Sequence, residues 1–183
     1  DIGYRYVVQT LQDRGASDVL FDMNSRYDVP GYGYQIAMGE TALAESWQSR
    51  DYLSHNHCML GHLYSWLFSG IGGISQESGS TAYKRIVIDP QIVGDLRDAR
   101  VSFRSPYGLI RSEWKDAPDE FVQTIEIPAN ATARICLPAT DPAKVTESGK
   151  PVSGRKDMAV ESGTDGRIEL HVGSGVYRIA VEK

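Results

Sequence analysis

Residues 30–57 read PGYGYQIAMGETALAESWQSRDYLSHNH, and in this stretch a glutamate, aromatic rings and imidazoles crowd together. Pro30, Gly31 and Gly33 punctuate the backbone while Tyr32 and Tyr34 interleave with them, which predicts an irregular loop holding rings at a surface. A wall that stacks against a sugar has this composition. Residues 39–48 then predict a short helix. Glu40 falls in its first turn, where the helix dipole favours negative charge, and Ala42, Leu43, Ala44 and Trp47 supply an apolar side. Glu45 follows among small residues. A step of five along a helix turns through about 140°, so on this reading Glu40 and Glu45 do not share a face, and only one of them is the working acid or base.

Upstream, Tyr4, Val7, Val8 and Leu11 fall at helical spacing, and Val19, Leu20 and Met23 repeat the signal after a break at Gly15 and a cap at Ser17. Downstream, a polar connection over residues 49–54 leads to a long helix through residues 58–74. Its apolar stripe is Leu60, Leu63, Tyr64, Leu67, Ile71 and Ile74, and it buries Cys58 and Trp66. These helices describe part of a bundle or barrel. Three or four of them leave apolar faces uncovered, so the helical part is expected to be an excerpt of something larger and to self-associate through those faces.

The period changes near residue 78. Residues 76–81, QESGST, are a polar linker, and beyond them Ile86 and Ile88, Val101 and Phe103, Phe121, Ile125 and Ile127, Ala133, Ile135 and Leu137, Ile168, Leu170 and Val172, and Tyr177, Ile179 and Val181 alternate with polar positions. Some eight short strands follow from this pattern, giving an antiparallel β-sandwich with Trp114 in its core. Asp165-Gly166 is a turn, and Gly173-Ser174-Gly175 is expected to close a C-terminal hairpin. The fold class is therefore α plus β in two parts, residues 1–77 and 78–183.

Composition narrows the function classes. Of 183 residues 41% are hydrophobic and 23% charged, a globular balance. The net charge of −5 is spread without a basic stripe, which argues against nucleic acid. No run approaches the ~20 apolar residues of a membrane span. No charged segment followed by an apolar one opens the chain, so no secretion signal is read, and the compartment stays open. The cysteines, Cys58 and Cys136, fall in different parts and read as free thiols. His55, His57 and His62 lack an accompanying carboxylate or thiol set for a metal, and no cofactor motif is present.

The ordered pieces PGYGYQIAMGETALAESW, SHNHCMLGHLYSWLFSGIGGI, YKRIVIDPQ, SPYGLIRSEW, IEIPANATA and VGSGVY resemble the C-terminal part of bacterial α-L-rhamnosidases of glycoside hydrolase family 78. The resemblance implies the last helices of an (α/α)6 barrel followed by a C-terminal β-sandwich. Glu45 falls on the glutamate of the family's E-x-W element, the general base, and Trp47 on its tryptophan. His57 falls on the histidine that contacts rhamnose. Two departures stand out: the connection from Trp47 to Asn56 is shorter than the family's, and Ala44 stands where tryptophan is common.

An inverting glycosidase needs one carboxylic acid for the leaving oxygen and one carboxylate, roughly 6.5–9.5 Å away, to draw a proton from water. The resemblance gives Glu45 the second role and sets Trp47 and His57 on the substrate side, to which the composition of the 30–34 loop adds Tyr32 and Tyr34. The first role falls to residues of earlier barrel helices, so the chain alone is expected to be inactive on its rhamnosylated substrate. By residue type alone, a glutamate in a short helix is a solvated residue. Two other classes stay open. The sandwich is a carbohydrate-binding module if Tyr107, Trp114 and Tyr177 line one face, or a structural cap if they turn inward. A glucoamylase-like hydrolase or a disaccharide phosphorylase shares the barrel architecture.

Overall fold

The computed structural model describes residues 3–183, which divide into two compact units: residues 3–70 with 91–95, and residues 71–90 with 96–183. The division falls ahead of the polar stretch 76–81, because Ile74–Gln76 is already a strand of the second unit.

In the first unit, helices α1 (Tyr4–Asp13) and α2 (Ser17–Ser25) form where the spacing predicts, joined through Gly15 at φ +69°. Val8 and Leu20 are buried, whereas Val7, Val19 and Met23 of the same stripes are exposed. Ser17 does not cap α2. It is buried, donates to Gln91 Oε1 and accepts the Trp66 indole N–H at 2.7 Å, a tertiary use of the hydroxyl that competes with capping.

The chain next departs from both expectations for residues 30–48. Tyr32–Ala37 is a helix, α3, and residues 39–48 contain none. Gly39 is the reason. At φ +84° it donates to Ile36 O at 3.0 Å, and Glu40 N donates to Gln35 O at 3.0 Å. This is the glycine-ended motif that closes a helix, so Gly39 terminates α3 rather than opening another. Gly33 allows α3 to start where it does: a Cβ there would lie 2.2 Å from the carbonyl oxygen of Arg26.

The long helix expected over residues 58–74 is also broken. Cys58–Leu60 is a 3-10 turn, Leu63–Trp66 is helix α4, Leu67–Ile71 is a π turn, and Ile74–Gln76 is strand β1. Gly61, Gly70, Gly72 and Gly73 interrupt the run. Gly73 (φ +75°) admits Pro90, whose nitrogen would lie 2.3 Å from a Cβ. Trp66 is buried as expected, but Tyr64 and Leu67 are exposed, and so is Cys58.

The second unit is built from β1, β2 (Arg85–Ile88), β3 (Asp98–Ser105), β4 (Gly108–Asp116), β5 (Glu120–Ile127), β6 (Thr132–Cys136), β7 (Val145–Glu147), β8 (Lys150–Pro151), β9 (Met158–Ser162), β10 (Ile168–Val172) and β11 (Gly175–Glu182). They form two sheets, β1-β2-β6-β10-β9 and β3-β4-β5-β11-β7-β8. All pairings are antiparallel except β2 with β6, which is parallel. Alternation sets the core: Ile86, Ile88, Ala133, Ile135, Leu170 and Val172 are buried on one sheet, and Ile110, Trp114, Phe121, Ile125, Ile179 and Val181 on the other. The 163–167 turn closes β9 onto β10, with Gly166 at φ +81°. Residues 173–175 do not close a hairpin. β10 pairs with β6 and β9 while β11 pairs with β5 and β7, so the chain changes sheet there. Trp114 is buried and donates to Ile71 O at 2.8 Å, and Tyr177 shares its register face with Ile125, which leaves no aromatic platform for a sugar at those positions. Burial pushes the Cys136 thiol up to about 12, and both cysteines are free.

Candidate functional site

Residues 40–57 have little regular structure, so their shape is set by individual hydrogen bonds. Two of these clip one half to the other: Glu45 N donates to Ser54 O at 2.8 Å and His57 N to Leu43 O at 2.7 Å. Glu45 and His57 thus stand on facing segments of one clip. Glu45 as a residue is half-buried, and its Oε2 accepts Ser54 N at 3.1 Å.

His57 is fixed by its own Nδ1, which accepts the Met59 N–H at 3.1 Å and caps the 3-10 turn Cys58–Leu60. Its ring lines an open hollow of about 390 Å3 together with Arg5, Tyr6, Cys58, Met59 and His62. Glu45 is not among the residues lining this hollow. The structure therefore brings Glu45 and His57 together through the backbone and gives their side chains different neighbours.

Of the expected aromatic residues, Trp47 and Tyr32 meet each other, with Tyr4 as a third member. The ring centroids of Trp47 lie 5.0 Å from those of both Tyr4 and Tyr32 in edge-on geometry. Tyr32 OH donates to Leu60 O and Tyr4 OH to Asn24 Oδ1 at 2.7 Å. Burial raises the pKa of both phenols. The trio ties α1, α3, the 40–57 segment and the 3-10 turn to one another, and Tyr34 is half-buried two residues on in α3.

Sequence reasoning does not single out Gln35, whose one signal is a long polar side chain between Tyr34 and Ile36. It is 3% exposed and bonds the backbone on both sides of Glu45. Nor does it pair Glu40 with His55, whose Nδ1 lies 2.7 Å from Glu40 Oε1. The hydrogen bond that His55 donates to Glu40 raises the pKa of His55. Among the described residues no group of three histidines, cysteines or carboxylates could hold a metal ion, and no helix is long and apolar enough to cross a membrane.

Comparison with known proteins adds a second line. A profile described as the bacterial alpha-L-rhamnosidase 6 hairpin glycosidase domain matches residues 1–71, and one described as the bacterial alpha-L-rhamnosidase C-terminal domain matches residues 73–151. An α-L-rhamnosidase of Streptomyces avermitilis is 30% identical over 190 residues, covering 98% of this chain and 17% of that protein. One from Formosa agariphila is 25% identical over 186 residues, covering 99% of this chain and 19% of that protein. The S. avermitilis enzyme solved with L-rhamnose is similar at a TM-score of 0.82, with 29% identity over 95% of this chain and 17% of that one. The α-L-rhamnosidase from Dictyoglumus thermophilum is similar at 0.84, with 28% identity over 98% of this chain and 20% of that one. The chain thus spans 16% to 20% of the length of the curated relatives it matches.

Proposed function

Since the chain belongs to the bacterial α-L-rhamnosidases, whose glycosidase and C-terminal profiles it matches in turn, we propose that it is the C-terminal portion of an inverting glycosidase that removes terminal α-L-rhamnosyl residues, with Glu45 as its general base. The helical unit is then the end of an (α/α)6 barrel. The observation that carries the reading is the backbone clip that sets Glu45 opposite the segment of His57. Ser54 N holds one carboxylate oxygen, and the other takes the proton of a water molecule. As the water oxygen bonds to the anomeric carbon, the glycosidic bond breaks, and its oxygen is protonated by an acid from the remainder of the enzyme. His57 donates from Nε2 to a sugar hydroxyl, while Tyr32, Tyr34 and Trp47 shape the wall beside it.

The substrate is a rhamnosylated glycan or glycoside. The isolated chain, holding one of the two carboxyl groups, is inactive. Tyr6, Val7, Val19, Met23, Ile36 and Tyr64, all exposed apolar side chains of the helical unit, support self-association of the chain when it stands alone.

The test is kinetic. In the full-length enzyme that carries this chain, Glu45→Gln lowers kcat on an aryl α-L-rhamnoside by about 10²–10⁴-fold, the usual worth of a general base. The isolated chain releases no aryl alcohol above buffer. Unchanged kcat in the variant removes Glu45 from the mechanism, and turnover by the isolated chain removes the requirement for an outside acid.

A further inference from the structure

The 40–57 segment has no helix or sheet to fix its course, yet a general base must be held to within a fraction of an ångström, since a misplacement of about 1 Å can cost about 10²-fold. Gln35 meets this requirement from below. Its side chain is 3% exposed, and its backbone is tied into α3, with Gln35 N donating to Gly31 O at 3.0 Å and Gln35 O accepting Glu40 N at 3.0 Å. From this anchored position Nε2 donates to Ser46 O at 3.1 Å and Oε1 accepts Ala44 N at 3.4 Å. The two backbone groups it grips belong to Ala44 and Ser46, the residues on either side of Glu45. With the Glu45 N–Ser54 O bond between them, the residue is restrained at three consecutive positions, two of them by this single amide.

We infer that Gln35 is the positioning residue for Glu45, an inference that rests on Glu45 being the base. Both ends of the amide are used, one as donor and one as acceptor, so neither an acid nor a hydrocarbon of the same length replaces it. A hydrocarbon leaves the N–H of buried Ala44 without its partner and takes from the Ser46 carbonyl one of its two donors, Ser49 N at 3.2 Å being the other, and the segment moves to satisfy the Ala44 amide. A carboxylate keeps the acceptor for Ala44 N and loses the donor to Ser46 O.

A double-mutant cycle in the full-length enzyme separates positioning from bulk stability. Gln35→Met is expected to lower kcat on an aryl α-L-rhamnoside by about tenfold or more, with KM within about twofold, and to add nothing when placed in the Glu45→Gln background. Gln35→Glu, should the methionine variant fail to fold, is expected to lose less kcat with the same lack of effect beside Glu45→Gln. A structural role alone would lower kcat by the same factor in both backgrounds, and that result, or an unchanged kcat in the folded single variants, overturns the inference. If Glu45→Gln itself leaves kcat intact, it is the base assignment that has failed, and the position of Gln35 has nothing to act through.

Discussion

His57 Nδ1 accepts the amide proton of Met59 at 3.1 Å, and this contact decides which face of the imidazole is available to a ligand. With Nδ1 occupied as an acceptor, the neutral ring carries its proton on Nε2, and the ring is at once the cap of the 3-10 turn and a fixed donor. The two jobs separate by substitution. His57→Asn keeps an oxygen that accepts Met59 N but withdraws the donor. The thermal midpoint of the chain should stay within a few degrees, while the full-length enzyme should bind α-L-rhamnosides about tenfold more weakly by KM. His57→Ala should lose the cap as well, at about 0.5–2 kcal/mol in thermal unfolding. Equal substrate binding by the asparagine variant would make His57 a cap and nothing more.

Glu40 and His55 make a second tie across the same segment, and its pH dependence has a definite sign. The hydrogen bond that His55 donates to Glu40 raises the His55 pKa above 6.5. A histidine raised on folding contributes stability that is complete below its unfolded pKa and fades as pH climbs through the folded value. The first unit should therefore be more stable at pH 6 than at pH 8, and proton NMR of the His55 ring should show a midpoint above 6.5 that returns towards it in Glu40→Gln. A midpoint unmoved by that substitution would mean the pair does not persist in solution.

Much of the fold is legible in the chain, and the misses share one physical cause. Alternation of Ile125 with Glu126, or of Leu170 with His171, reports a half-buried strand directly, because the side-chain period of a strand is a property of the strand itself. Gly39 is ambiguous by contrast. A glycine before an Ala-rich run reads equally as a helix start or as the left-handed stop of the helix before it, and the bonds to Ile36 and Gln35 that decide the matter come from the neighbouring turn. Ile74 continues the helical spacing of Ile71 but becomes a strand residue because Gly73 lets Pro90 approach. Glu45, Trp47 and His57 are proposed through the pattern of a family, while Gln35 bonds backbone groups, and no spacing rule announces a side chain that recognises the backbone nine and eleven residues ahead.

Gly33→Ala isolates the role of the second glycine in Pro30-Gly31-Tyr32-Gly33-Tyr34. Glycine to alanine inside a helix ordinarily stabilises by about 0.5–1 kcal/mol. Here the new methyl meets Arg26 O at 2.2 Å, a backbone atom that cannot rotate aside. Overpacking outweighs propensity, and the chain should lose about 1–3 kcal/mol in denaturant unfolding. Gly3→Ala, with nothing within 4 Å of the added carbon, serves as the neutral control. Equal stability of the two variants would mean that the turn before α3 relaxes freely.

The exposed apolar side chains of the helical unit make a prediction about mass. Tyr6, Ile36, Met38 and Tyr64 are each more than half exposed, a burden that association relieves. Sedimentation of the isolated chain should show weight-average mass rising with concentration, and Tyr6→Ser with Ile36→Gln should reduce the rise. A single monomeric species at the highest concentrations would remove self-association from the account.

In the second unit, Arg155 joins two carboxylates whose ionisation favours the fold. It donates from Nη1 to Glu147 Oε2 at 2.7 Å and grips Asp157 through Nε at 2.8 Å and through Nη2. The hydrogen bond from Arg155 holds Asp157 down at about 2. Burial works to raise Glu147, but the bonds from Ser148 and Arg155 outweigh it and leave its pKa lowered. Groups depressed on folding contribute stability that is present above their unfolded pKa, near 4, and lost as pH falls through the folded value. Arg155→Met removes the largest cause of the Asp157 depression and one of the causes of the Glu147 depression, and leaves the largely buried Glu147 without its cation. The acid unfolding midpoint of the variant, followed by tryptophan fluorescence of buried Trp114, should rise by about one pH unit, and raised salt should narrow the difference by screening the exposed Asp157 arm more than the Glu147 arm. An unchanged midpoint would mean that the cluster is replaced by water without loss, and that the sandwich draws its acid resistance from the apolar core between its sheets alone.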